Sequence, residues 1–144
     1  MLLPIAIEPT RLNQNQRWLS AAIGVGLMSL LLLASWLQPN SSGMGTHRQL
    51  GLPPCTFFML FGIRCPSCGM TTSWSYFMRG DLSQAWATNA GGACLAALAM
   101  VGGSWSLWAA IRGSLQPTLP RHLVLTIVVA VFAITVVDWI SRIL

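Results

Sequence analysis

The chain has 144 residues, 54% of them hydrophobic and only 8% charged, with a mean hydropathy of +0.64. Soluble domains carry about 25% charged residues, so a chain with this few cannot clothe a globular surface in polar groups, and lipid is its expected surrounding. The net charge of +5 comes from arginines that punctuate the gaps between apolar runs instead of gathering on one soluble face, which excludes nucleic acid as a partner.

Residues 1–16 form a short polar lead with Pro4, Pro9 and an Asn-rich stretch. Residues 18–37 follow without a charge, about the twenty positions needed to cross roughly 30 Å of hydrocarbon. The stretch is longer than the roughly 7–15 apolar residues of a secretory signal and no small-residue cleavage site follows it, so it reads as a retained first span. Trp18 and Trp36 lie near its ends, where aromatic side chains favour the interface.

Residues 38–82 are expected to hold a loop and a short re-entrant or interfacial helical pair. Pro, Asn, Ser and Gly crowd residues 38–54. The apolar run 56–63 is too short to cross a bilayer, since eight helical residues span only about 12 Å. A second short helix is expected from Pro66, a favoured first helical residue, to Arg79, ended by Gly80-Asp81. Met70, Trp74 and Phe77 would share one of its faces, and Cys68, Thr72, Ser75 and Arg79 would form a polar stripe on another. Such a helix either lies along the bilayer surface or turns the stripe of Thr72, Ser75 and Arg79 toward a protein interior.

The second span is expected over residues 83–111, crowded with small residues that let helix backbones approach closely in lipid. Gly92 and Ala96, and Ala99 and Gly103, are small pairs four apart; this helix is the expected packing centre or oligomer face, with Trp105 and Trp108 at its far end. A loop with Pro117 and Pro120 leads to the third span, residues 121–143. Asp138 lies within it, four residues before Arg142. An acid inside a span is a functional candidate by default, but its place near the span's end favours a buried charge pair with Arg142. Three spans put the termini on opposite sides, and the arginines divide four against four, so charge gives no orientation.

Of the four cysteines, Cys94 sits in an apolar run and reads as a small buried residue. Cys55, Cys65 and Cys68 lie close together, with the latter two in a Cys-Pro-Ser-Cys-Gly element. With Cys65 at the helix N-cap and Cys68 in its first turn, unpaired amides and the helix dipole would favour thiolate. Three chemistries are open. Zinc would use Cys55, Cys65 and Cys68 with His47 as fourth ligand. A Cys65–Cys68 dithiol would do redox work, though the βαβ context of such motifs is missing. A disulfide from Cys55 to Cys65 or Cys68 would simply brace the loop in an oxidising compartment.

The run Cys55…Gly62-Ile63-Arg64-Cys65-Pro66-Ser67-Cys68-Gly69-Met70-Thr71-Thr72, then Gly80-Asp81, Ala85 and Asn89, resembles the domain-of-unknown-function 2752 family of small prokaryotic membrane proteins. The resemblance covers about residues 52–95, with two departures: Thr72 stands where the family pattern has Arg, and Ala90 where it has Pro. It implies a multi-pass protein of a prokaryotic cell membrane built around Cys55, Cys65 and Cys68, and implies no activity.

No pair of acids or histidines has a spacing suited to general acid/base work. The expected function is therefore a non-enzymatic membrane module or accessory subunit, with the bilayer and a homo-oligomer or larger membrane complex as partners. Its cysteines form a structural unit, with zinc binding and thiol–disulfide oxidoreduction as the alternatives.

Overall fold

The computed structural model describes residues 10–115 and 119–144; residues 1–9 of the polar lead, and Pro117 in the last loop, lie outside the described residues. The described chain is helical apart from a two-residue antiparallel pairing of Thr10–Arg11 (β1) with Ser114–Leu115 (β2). Three helices of 23 residues, α1 (Gln14–Trp36), α5 (Ala90–Arg112) and α6 (Arg121–Ile143), are long and apolar enough to cross a membrane. At 1.5 Å per residue each is about 34 Å long, against about 30 Å of hydrocarbon.

Between α1 and α5 lie a 3-10 turn (Thr46–Leu50) and three short helices, α2 (Thr56–Phe61), α3 (Met70–Met78) and α4 (Leu82–Thr88). Asn13 caps α1 in a reciprocal box with Gln16, each side chain bonding the other's backbone N–H at 2.9 Å.

The long helices run antiparallel in sequence. Arg17, at the start of α1, donates to the carbonyls of Ala110 and Ile111 at the end of α5, at 3.0 and 3.5 Å. Midway, a side chain at Gly24 would collide with Leu107, and one at Gly103 would press on Leu27 and Met28 at 3.2 Å, so the glycines ease the approach. Further along, Leu31 is fully buried with Ala96 and Ala99, and Trp74, Phe77 and Met78 of α3 pack onto them. On the other side of α5, Gly91 lies against Thr135 of α6 so tightly that a Cβ has no room. The small-residue helix is thus in contact with α1, α3, α4 and α6.

One consequence organises the molecule. The end of α1, residues 37–89, the start of α5 and the end of α6 gather at one end of the bundle; the start of α1, the β1–β2 pairing and the start of α6 gather at the other. Trp18 with Trp105 and Trp108, and Trp36 with Trp139, mark the two ends. The side of α6 away from α5 has no protein cover: no residue of α6 is buried, and its mean hydropathy over the most apolar window is 2.6. An apolar surface that large belongs in hydrocarbon, not water.

Two boundaries differ from the sequence expectation. The charge-free stretch 83–111 is not one helix, because Asn89 takes an extended conformation (φ −162°, ψ 102°) and splits it into α4 and α5. Its side chain accepts from the Gly92 N–H at 2.7 Å, offering the backbone an alternative to a continuous helix. Likewise α3 begins at Met70, not Pro66: residues 65–68 form a turn closed by the Cys68 N–H to the Cys65 carbonyl at 3.0 Å, and Gly69 follows at φ 87°. Cys68 therefore precedes the helix instead of occupying its first turn.

Candidate functional site

The turn at residues 64–69 is held from behind by three side chains. Asn89, fully buried, donates to the carbonyls of Pro66 and Cys68, both at 3.1 Å. Arg142 donates to the same Cys68 carbonyl at 3.1 Å and to the Thr88 carbonyl at 3.3 Å. Trp139 donates its indole N–H to the Arg64 carbonyl at 2.6 Å. Gly69 is needed here twice over: its φ is positive, and a Cβ would lie 2.6 Å from the Gly43 carbonyl oxygen.

Asp138 and Arg142 form the expected pair, with Nη2 to Oδ2 at 2.6 Å and both side chains largely buried. Oδ2 also accepts from the Ala90 N–H at 3.3 Å, one of the unpaired amides at the start of α5. The pair does more than neutralise itself. It fastens the end of α6 to the cysteine turn and to the first residue of α5, a long-range role that the i, i+4 spacing alone did not reveal.

The stripe on α3 faces the protein interior. Thr72 shares a hydrogen bond with Thr46 at 2.8 Å, and Ser75 donates to the Leu37 carbonyl at the end of α1; Thr72, Ser73 and Ser75 are all fully buried. Ser73, outside the expected stripe, donates to the carbonyls of Ala85 and Asn89 at 2.8 and 3.1 Å and so ties α3 to the α4–α5 break. Arg79 does not reach the cysteines; it turns back to Ser75, at 2.9 Å from Oγ.

On the open side of this scaffold Cys55, at the N-cap of α2, meets Cys65 and Cys68. The three Sγ atoms all lie within 4.8 Å of one another, with Cys55 to Cys65 at 3.6 Å and Cys65 to Cys68 at 3.2 Å. All are free thiols. Burial pushes the Cys68 thiol up to about 12, reinforced by the neighbouring thiols of Cys65 and Cys55. The backbone amide of Phe58 at the start of α2 draws the Cys55 thiol below its ordinary value, against its desolvation. The expected helix-dipole activation of Cys68 is therefore replaced by the opposite shift, because the residue sits in a buried turn.

His47 lines the same cavity as the three cysteines, a space of about 330 Å³, but is not a member of the sulfur cluster; its Nε2–H donates to the Pro53 carbonyl at 3.1 Å. Cys94 is partly exposed on α5, away from the cluster. Asn89 stood out in the sequence only as part of the family pattern, and Trp139 not at all. A polar residue interrupting a long small-residue run was the available signal for Asn89.

Tetrahedral zinc–thiolate bonds of about 2.3 Å separate sulfurs by about 3.8 Å. The observed separations of 3.2 and 3.6 Å, with all three sulfurs within 4.8 Å of one another, lie close to that spacing, so the cluster could hold a metal ion.

Residues 55–103 match the family model described as a protein of unknown function (DUF2752), and this stretch of the chain is similar to that family. Neither the curated proteins nor the solved structures gave a match.

Proposed function

We propose that this chain is a small multi-pass module of a prokaryotic cell membrane whose Cys55, Cys65 and Cys68 bind one metal ion, zinc foremost. The observation that carries the proposal is the convergence of three sulfurs within 4.8 Å, two of them on a turn braced from behind by buried Asn89 and half-buried Arg142. Three side chains anchor the carbonyls of Arg64, Pro66 and Cys68, all within five consecutive residues, which holds the turn in one shape for a ligand. Thiolate donors select zinc and other soft ions over magnesium or calcium. The ion would pin α2 to the α3 and α5 starts and order the end of the bundle, which suits a structural module or an accessory subunit of a larger complex. The family resemblance supports the prokaryotic membrane setting.

Elemental analysis of the detergent-purified chain tests this directly. About one metal per chain is expected, lost in Cys68→Ser and retained in Cys94→Ser; fewer than about 0.1 per chain after growth with zinc would overturn it, given how tightly structural zinc is held. A second reading, a Cys65–Cys68 redox couple, has their 3.2 Å sulfur separation in its favour. It requires one of the two to be an easily ionised thiol, and the raised Cys68 value does not favour that residue for the part.

A further inference from the structure

Resting on the metal assignment above, we propose that the metal keeps one open position facing the 330 Å³ cavity, and that this position takes a small anionic thiol. Closed structural zinc sites have four protein ligands, whereas sites that exchange a ligand have three. Among the described residues the sulfur cluster has three members and no fourth Cys, His, Asp or Glu. The three cysteines all line a cavity of about 330 Å³, so a further ligand to a metal held by them would be supplied from that space. At about 30 Å³ per water in the liquid, that volume holds about ten waters or a small organic molecule.

The walls state the ligand's chemistry. Met44, Pro54 and Phe58 make them largely apolar, and the charged or titratable side chains besides the cysteines are Arg48 and His47, with no carboxylate among the lining residues. Arg48 has no side-chain hydrogen bond or ion pair among the described residues. A ligand matching these walls carries a soft donor for a metal already bound by sulfur, a short apolar body, and a negative group for the guanidinium. A thiol with a carboxylate a few bonds away has all three. On binding, its S–H bond breaks, the proton goes to solvent, a water leaves the metal and the metal–sulfur bond forms; no electrons change hands.

The test uses the full chain in detergent, loaded with Co(II) as a spectroscopic substitute and titrated anaerobically with 3-mercaptopropionate, 2-mercaptoethanol and propionate. The expected result is a saturable gain in sulfur-to-cobalt charge-transfer absorption with 3-mercaptopropionate at one equivalent, with the cobalt still bound after dialysis. Binding of 2-mercaptoethanol is expected to be weaker, and propionate should leave the spectrum unchanged. Arg48→Gln should weaken the anionic thiol about two- to fivefold, as suits an exposed ion pair, while leaving 2-mercaptoethanol unaffected. His47→Ala should keep both the spectrum and the response.

A cobalt-loaded chain that ignores thiols, or a His47→Ala spectrum that loses a nitrogen ligand, overturns the open position while leaving the metal site standing. Failure to take up cobalt at all overturns the metal assignment itself, and this proposal with it.

Discussion

Cys55 and Cys68 are drawn in opposite directions although their sulfurs are neighbours. Cys68 is buried in the turn and keeps its proton up to about pH 12, whereas the Phe58 amide favours thiolate at Cys55. Alkylation consumes thiolate, so in chelator-treated protein at pH 8 Cys55 should label at least about tenfold faster than Cys68; peptide mass spectrometry after timed quenching reads the order, and Cys68 labelling first would contradict it. The same asymmetry has a stability consequence. The fold holds Cys68 neutral, while an unfolded chain's thiol ionises from the ordinary value of 9.0. Its stabilising contribution is therefore complete below about pH 9 and is lost as pH rises from 9 towards 12. Metal binding must displace that proton, so apparent metal affinity climbs with pH across the neutral range.

The break between α4 and α5 is the element on which the site depends. Asn89 satisfies its whole side chain there, accepting from Gly92 and donating to Pro66 and Cys68, while its own carbonyl accepts from Ser73. Asn89→Ala leaves the buried Gly92 N–H and the half-buried Pro66 carbonyl without their side-chain partner, at up to about 1–3 kcal/mol for each group. The expected outcome is a loss of about 2–4 kcal/mol in thermal or denaturant unfolding, together with weaker metal retention. A variant as stable as the parent that still holds one metal would show that the turn does not rely on Asn89. That break was not legible from periodicity. Residues 83–111 carry no charge and read as one long helix, and a single buried amide ends it through contacts 21 and 23 positions back in the chain. The three spans, by contrast, were legible from length and apolarity alone, since lipid imposes both locally. The cysteine unit was legible as a spacing, whereas His47 lines the same cavity without joining the sulfur cluster: one shared loop does not say which side chains converge, and long-range contacts decided that.

At the scale of the whole molecule, the cysteine unit and the end of α6 belong to the same face of the membrane, because Arg142 and Trp139 bond the turn directly. The arginine distribution gave no orientation, yet the packing makes a relative topology compulsory. The Asp138–Arg142 pair and the tight Gly91–Thr135 contact hold α6 antiparallel to α5, and the Arg17 contacts hold α1 antiparallel to α5 on its other side. An epitope added after Leu144 and the native Cys55 thiol should therefore be reachable from the same side of sealed vesicles, and an epitope before Met1 from the opposite side. The measurement is labelling of chelator-treated vesicles with a membrane-impermeant maleimide, alongside antibody access to each epitope before and after permeabilisation. Cys55 labelling should track access to the C-terminal epitope in both right-side-out and inverted preparations. If it tracks the N-terminal epitope instead, α1 does not cross and only one of α5 and α6 does, and the anchoring of the cysteine turn by Trp139 and Arg142 near the C-terminus cannot hold in the membrane.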